Sequence, residues 1–172
     1  MSYTLSIFTE NSPGVLHRIT VMFTKRKLNI ESLTVSETGR DGISRFTIVI
    51  SGVDEPLIRT IARQIKRIIE VLDVQVCTDE EIVSKEIAFF RVVPADQNQR
   101  EAIIQLSHEH HAPIIYLDDS SLVLEKSGTE KQISTVLSAL EPFHVKEFIR
   151  SGRIAILKTA QEFVESLPEL QK

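Results

Sequence analysis

The sequence predicts an α+β chain built from two consecutive modules, each with the element order β-α-β-β-α-β. Three observations lead there. Short stretches of alternating apolar residues switch to helical spacing and back again. Cap and turn residues fall between the stretches. The order of elements in residues 1–78 recurs in residues 79–158. Such a split βαβ module forms a four-stranded antiparallel sheet with both helices on one face, the ferredoxin-like arrangement.

The first module opens with alternation over residues 3–10, which puts Tyr3, Leu5 and Ile7 on one face and Thr4, Ser6 and Phe8 on the other. Asn11-Ser12-Pro13-Gly14 reads as a turn into a helix. Val15, Leu16, Ile19, Met22 and Phe23 form its apolar stripe over residues 14–27. A strand from Ile30 to Glu37 follows, then a hairpin at Gly39-Arg40-Asp41-Gly42 and a strand from Ile43 to Ile50. Asp54 and Pro56 open a second helix with Leu57, Ile58, Ile61, Ile65 and Ile68 inward. Val71 to Val76 closes the module.

The polar stretch Thr78-Asp79-Glu80-Glu81 marks the boundary. Beyond it come a strand from Ile87 to Val93, a helix from Asn98 to about His110, and strands at Pro113–Leu117 and Leu122–Glu125. Thr129-Glu130-Lys131-Gln132 has the form of a capping box before a helix carrying Ile133, Val136, Leu137 and Leu140. Phe143 to Ile149 is the last strand, and residues 159–172 form a tail, read as a short helix or a mobile end. In the usual strand order the second strand, Ile30 to Glu37, lies at a sheet edge. It holds neither proline nor lysine, so pairing with a second copy is expected.

Composition narrows the function. With 172 residues, 42% hydrophobic and 26% charged, the chain fits a globular class. A net charge of −4 without any block of five like charges argues against a nucleic-acid surface. The single cysteine, Cys77, cannot form an internal disulfide. The start of the chain lacks signal-peptide character, and no apolar run spans a bilayer, so a cytoplasmic protein without a membrane partner is expected. No catalytic motif stands out, and the carboxylates form no acid–base pair. His108-Glu109-His110-His111 is the one metal-like cluster, but no third ligand follows at a recognisable spacing, so no metal is expected. Arg59, Arg63, Lys66 and Arg67 make a basic face on the second helix, either solvated or docked on an acidic partner. An RNA-recognition module shares the element order, yet the third strand offers only Phe46 for stacking.

Asn11-Ser12-Pro13-Gly14-Val15-Leu16 is the segment with most chemistry. A helix start exposes N–H groups and partial positive charge, and glycine allows an anion close to the backbone. The same residues also suit a simple helix cap, in which Asn11 or Ser12 bonds the first turn. Spacing alone leaves both readings open.

Residues 11–19 (NSPGVLHRI), 29–35 (NIESLTV) and 44–49 (SRFTIV) resemble the N-terminal ACT domain of the small subunits of acetohydroxyacid synthase, also called acetolactate synthase; a weaker likeness extends through RSG at 150–152. The resemblance implies an ACT effector domain over 1–78 and a C-terminal ferredoxin-like domain over 79–158. It implies a non-catalytic regulatory chain that activates a catalytic large subunit and confers feedback inhibition by valine or another branched-chain amino acid. It has no cofactor of its own; thiamine diphosphate, Mg²⁺ and FAD belong to the partner. The family's effector site spans two ACT domains of a homodimer. It maps to Asn11, Gly14, Val15 and Leu16 of one copy with Asn29 and Ile30 of the other. Where the family usually has a glycine and an aromatic residue before Asn29, this chain has Lys27 and Leu28, and no basic-glycine pair follows Lys158. The alternative is a stand-alone ACT-type sensor that regulates another enzyme or transcription.

Overall fold

The computed structural model describes residues 2–159, so the tail lies outside the described residues. Two compact units emerge. The first comprises residues 2–83 with residues 153–159, and the second residues 84–152.

In the first unit the order is β1 (Ser2–Glu10), α1 (Val15–Thr24), β2 (Ser32–Glu37), β3 (Ile43–Ser51), α2 (Glu55–Ile65) and β4 (Val71–Thr78). The strands lie antiparallel in the order β2-β3-β1-β4, so β2 is an edge as predicted. It begins two residues later than Ile30, leaving Asn29 and Ile30 in the approach to the strand. Register puts Tyr3 beside Ile50, Leu5 beside Ile48 and Ile7 beside Phe46. These side chains pack on Ile19 and Phe23 of α1 and on Ile58, Ile61 and Ile65 of α2, all buried. Each such side chain contributes about 1.5–3 kcal/mol of burial free energy. Phe46 therefore belongs to the core beneath the helices, the reverse of a base-stacking position. Leu16, read as part of the inward stripe, is 43% exposed. The buried row on α1 is Val15, Ile19 and Phe23, spaced by four, and residue 16 falls off it.

Lys27 closes α1 in an unusual way. Leu28 N–H donates to Phe23 C=O and Lys27 N–H to Thr24 C=O, the bonding of a Schellman motif with Lys27 at C′. Lys27 has φ of +56°, a region that costs a non-glycine residue about 1–2 kcal/mol. Replacing it by glycine relieves that strain against a smaller entropic cost. Lys27→Gly is expected to raise stability by up to about 1 kcal/mol in urea denaturation; a lower midpoint would contradict the assignment.

The second unit holds β5 (Ile82–Val93), α3 (Gln97–Glu109), β6 (Ile114–Leu117), β7 (Leu122–Gly128), α4 (Glu130–Leu140) and β8 (His144–Arg150). Its strand order β6-β7-β5-β8 repeats that of the first. Phe90, Val92, Leu122 and Leu124 meet Ile103, Ile133, Val136 and Leu140 in its core. Strand β5 starts five residues before the predicted Ile87, straight after the polar stretch Thr78–Glu81. Asp96 caps α3, and Thr129 with Gln132 forms the predicted capping box on α4. α3 ends like α1: Ala112 N–H bonds Ser107 C=O, His111 N–H bonds His108 C=O, and His111 has φ of +48°. Lys126 Nζ donates to His110 C=O at 2.6 Å, a cation at a helix C-terminus. The histidine cluster is thus a helix end, and no group of three potential metal ligands gathers among the described residues.

The β6–β7 turn is organised by Asp118. Its carboxylate accepts the Ser120 hydroxyl and the N–H groups of Ser120 and Ser121, which holds its pKa down at about 2. A depressed carboxyl pKa stabilises the fold above the unfolded value of roughly 3.9, and that contribution is lost as pH falls through about 2. A carboxyl ¹³C titration is expected to find Asp118 charged at pH 3; a midpoint near 4 would remove the turn from the account.

One element escaped the sequence reading. β9 (Ile154–Leu157) pairs with β5, whose first residues Ile82 and Val83 belong to the first unit. The segment, at the end of the stretch 79–158, runs across the helix-free face of the first sheet. Arg153 N–H donates to Ser32 Oγ, and Thr34 Oγ1 donates to Arg153 C=O. Arg153 Nη1 reaches Thr4 Oγ1 at 3.1 Å and Asp79 Oδ1 at 2.7 Å. Arg45, stacked 5.4 Å from the Phe8 ring, donates to Ser6 Oγ and Ala155 C=O. This explains why Thr4, Ser6 and Phe8 are as buried as the opposite face. Cys77 lies in a small cluster with Ile82 and Ala155, where burial pushes its thiol pKa up.

Candidate functional site

The loop between β1 and α1 is held from two sides. Asn11 N–H donates to Gly42 C=O at 2.7 Å, and Asn11 Nδ2 donates to Glu37 Oε1 at 2.7 Å. The amide is therefore spent on the end of β2 and does not cap α1. Gly14 is the N-cap residue, with φ of +84° and no side chain bonding the first turn. The other helices are each capped by a side chain. Of the two readings of this segment, the simple side-chain cap is excluded. The first helical bond runs from Arg18 N–H to Gly14 C=O, which leaves the N–H groups of Val15, Leu16 and His17 at the open end of the helix. A Cβ built at Gly14 would meet nothing within 4 Å, so the space beside Gly14 is open.

Asn11, Gly14 and Leu16 come together here, all exposed. Val15 does not offer its side chain, which is 2% exposed and lies in the core; it offers backbone N–H. Asn29, exposed, and Ile30, half-buried against the core, sit at the opposite end of β2 from Glu37. With a strand rise of about 3.3 Å, the two groups are roughly 20 Å apart in one copy. Sequence reasoning missed Glu37, since nothing in the sequence pairs it with Asn11. The arrangement supplies partial positive charge at the helix start, a carboxylate and an amide beside it, and the aliphatic Leu16. These are complements to a carboxylate, an ammonium and an apolar side chain.

Other chemistry is sparse. Arg59 pairs with Glu55 and Lys66 with Asp73, while Arg63 Nη2 donates to Thr60 Oγ1. Among the described residues no helix is long and apolar enough to cross a membrane.

The known proteins place the chain. Residues 5–73 match the AHAS small subunit-like ACT domain, and residues 85–159 match the model described as the small subunit of acetolactate synthase. An acetolactate synthase small subunit of Mycobacterium bovis is 36% identical over 155 residues, 90% of this chain and 91% of that protein. This chain belongs to the acetolactate synthase small-subunit family. A Bacillus subtilis member is 32% identical over 166 residues, 96% of each chain. The crystal structure of the small subunit from Thermotoga maritima superposes with a TM-score of 0.83 at 26% identity, covering 94% of this chain and 99% of that one. Within this acetolactate synthase small-subunit chain, all six effector-site residues named from the sequence fall in the ACT match. The strand that covers the ACT sheet, β9, falls in the match to the C-terminal region.

Proposed function

We propose that this chain is the non-catalytic regulatory subunit of acetolactate synthase, raising the activity of the catalytic subunit and lowering it again when valine binds. The observation that carries the effector site is the Asn11–Glu37 hydrogen bond. It ties the β1–α1 loop to the C-terminal end of β2. β2 is an edge strand. Antiparallel pairing of two β2 edges sets the N-terminal end of one strand beside the C-terminal end of the other. The partner's Asn29 and the partner's Ile30 thereby come to this copy's Glu37, Asn11 and Gly14. The roughly 20 Å gap within one copy is closed by symmetry.

The edge suits this pairing. Val35 is 45% exposed on it, and Ser32 to Ser36 carries no charge. In the assembled site the valine carboxylate meets the N–H groups of Val15, Leu16 and His17. Its ammonium meets Glu37 and the partner's Asn29, and its isopropyl group lies between Leu16 and the partner's Ile30. Effector bound across two copies stabilises one arrangement of the ACT pair, and the catalytic subunit docked on that arrangement works more slowly. Thiamine diphosphate, Mg²⁺ and FAD serve the catalytic subunit, in the cytoplasm.

Sedimentation and calorimetry on the isolated chain test the site. The expected result is a dimer at micromolar concentration that binds one valine per chain. A strictly monomeric chain would remove the shared site.

A further inference from the structure

The second edge of the first sheet carries a different surface. β4 is the last strand in the order, and no other strand pairs with its outer side among the described residues. Beside it, between β4 and α2, runs a groove of about 410 Å³. Ala62, Val74 and Val76 line it with apolar surface, and Arg59, Arg63 and Lys66 are its charged lining residues. No carboxylate lines it. The side chains of Arg59 and Lys66 remain 60% and 59% exposed although each touches an acidic neighbour. Arg63 has no carboxylate partner among the described residues. Val74 and Val76 stand opposite Ile7 and Leu5 on β1, so they face the helix side and stay only partly buried.

We propose that this groove receives an extended segment of the catalytic subunit that carries carboxylates, added to β4 as a further strand. The proposal rests on the partnership set out under Proposed function. Strand addition satisfies the outer N–H and C=O groups of β4. Alternate side chains of the added strand point to the helix side, where small apolar groups cover Val74 and Val76 and carboxylates reach the three cations. The effector pairing uses the β2 edge, at the other end of the sheet, so both contacts form at once. Charge complementarity selects the occupant: a rim of three exposed cations, of which Arg63 has no carboxylate partner among the described residues, favours an acidic strand over a second copy of this chain, whose β2 segment Ser32–Ser36 is uncharged.

The test uses the intact chain and the intact catalytic subunit. Arg59→Glu/Arg63→Glu is compared with the unaltered chain in an association assay at 0.1 and 1 M salt, alongside amide exchange over residues 73–77. The expected result is at least tenfold weaker association at low salt, a gap that narrows at high salt, and protection of the β4 amides on complex formation in the unaltered chain only. Self-association and circular dichroism of the double variant stay unchanged. Equal affinity for both chains, with unprotected β4 amides, would overturn the groove and leave the partnership intact. Loss of self-association in the variant would overturn it in favour of a chain–chain contact. Failure of the unaltered chain to associate would overturn the partnership and the groove together.

Discussion

On the proposed function, Gly14→Asp is expected to abolish valine inhibition and to leave activation of the catalytic subunit in place. Two effects act together. The φ of +84° at Gly14 costs an L-residue up to about 1–2 kcal/mol, least for aspartate and asparagine, although a Cβ there meets no atom within 4 Å. The new carboxylate then stands where the effector's carboxylate belongs, and two such charges roughly 4 Å apart repel by about 1–4 kcal/mol near a protein surface. Together these weaken valine binding at least tenfold. Gly14→Asn separates them, because asparagine shares aspartate's tolerance of left-handed backbone and adds no charge. The asparagine variant is expected to keep measurable inhibition, and the aspartate variant to show none up to saturating valine. Full inhibition of the aspartate variant would take Gly14 out of the site.

Arg153→Ala is expected to lower stability by about 1–3 kcal/mol, since it leaves the buried Thr4 hydroxyl without this partner and a void where the side chain lay. Arg153 is 8% exposed, and its guanidinium bonds Thr4, itself 1% exposed, and Asp79. In a chain of this size each kcal/mol moves the thermal midpoint by roughly 2–4 °C. The Asp79 side chain is 59% exposed, so Asp79→Asn costs less than about 1 kcal/mol. That difference distinguishes a buried anchor from a surface ion pair. An Arg153→Ala chain that melts within a degree of the unaltered chain would show that β9 does not hold the first sheet.

Arg153 also marks where the sequence became illegible. The capping box at Thr129, the Asp54 cap and the alternation of β1 and β3 are local signals, and the elements they announce are present. β9 has only four residues, with its backbone anchors at Ser32 and Thr34, 121 and 119 positions away from Arg153. No periodicity encodes such a contact. The same holds for the site. Gly14 was readable because a glycine before an apolar stripe signals a helix start. Glu37 was not, since its bond to Asn11 spans 26 positions and depends on β2 ending beside the loop. Lys27 concealed the end of α1, because the left-handed residue that stops the helix is not the glycine that usually announces it.

Acetolactate formation by the catalytic subunit, measured with and without this chain across a valine titration, decides whether the chain regulates that subunit. The expected result is a rise in rate on adding the chain, then a fall as valine saturates the shared site. A rate that the chain leaves unchanged at every valine concentration would contradict it and leave a stand-alone amino-acid sensor in its place.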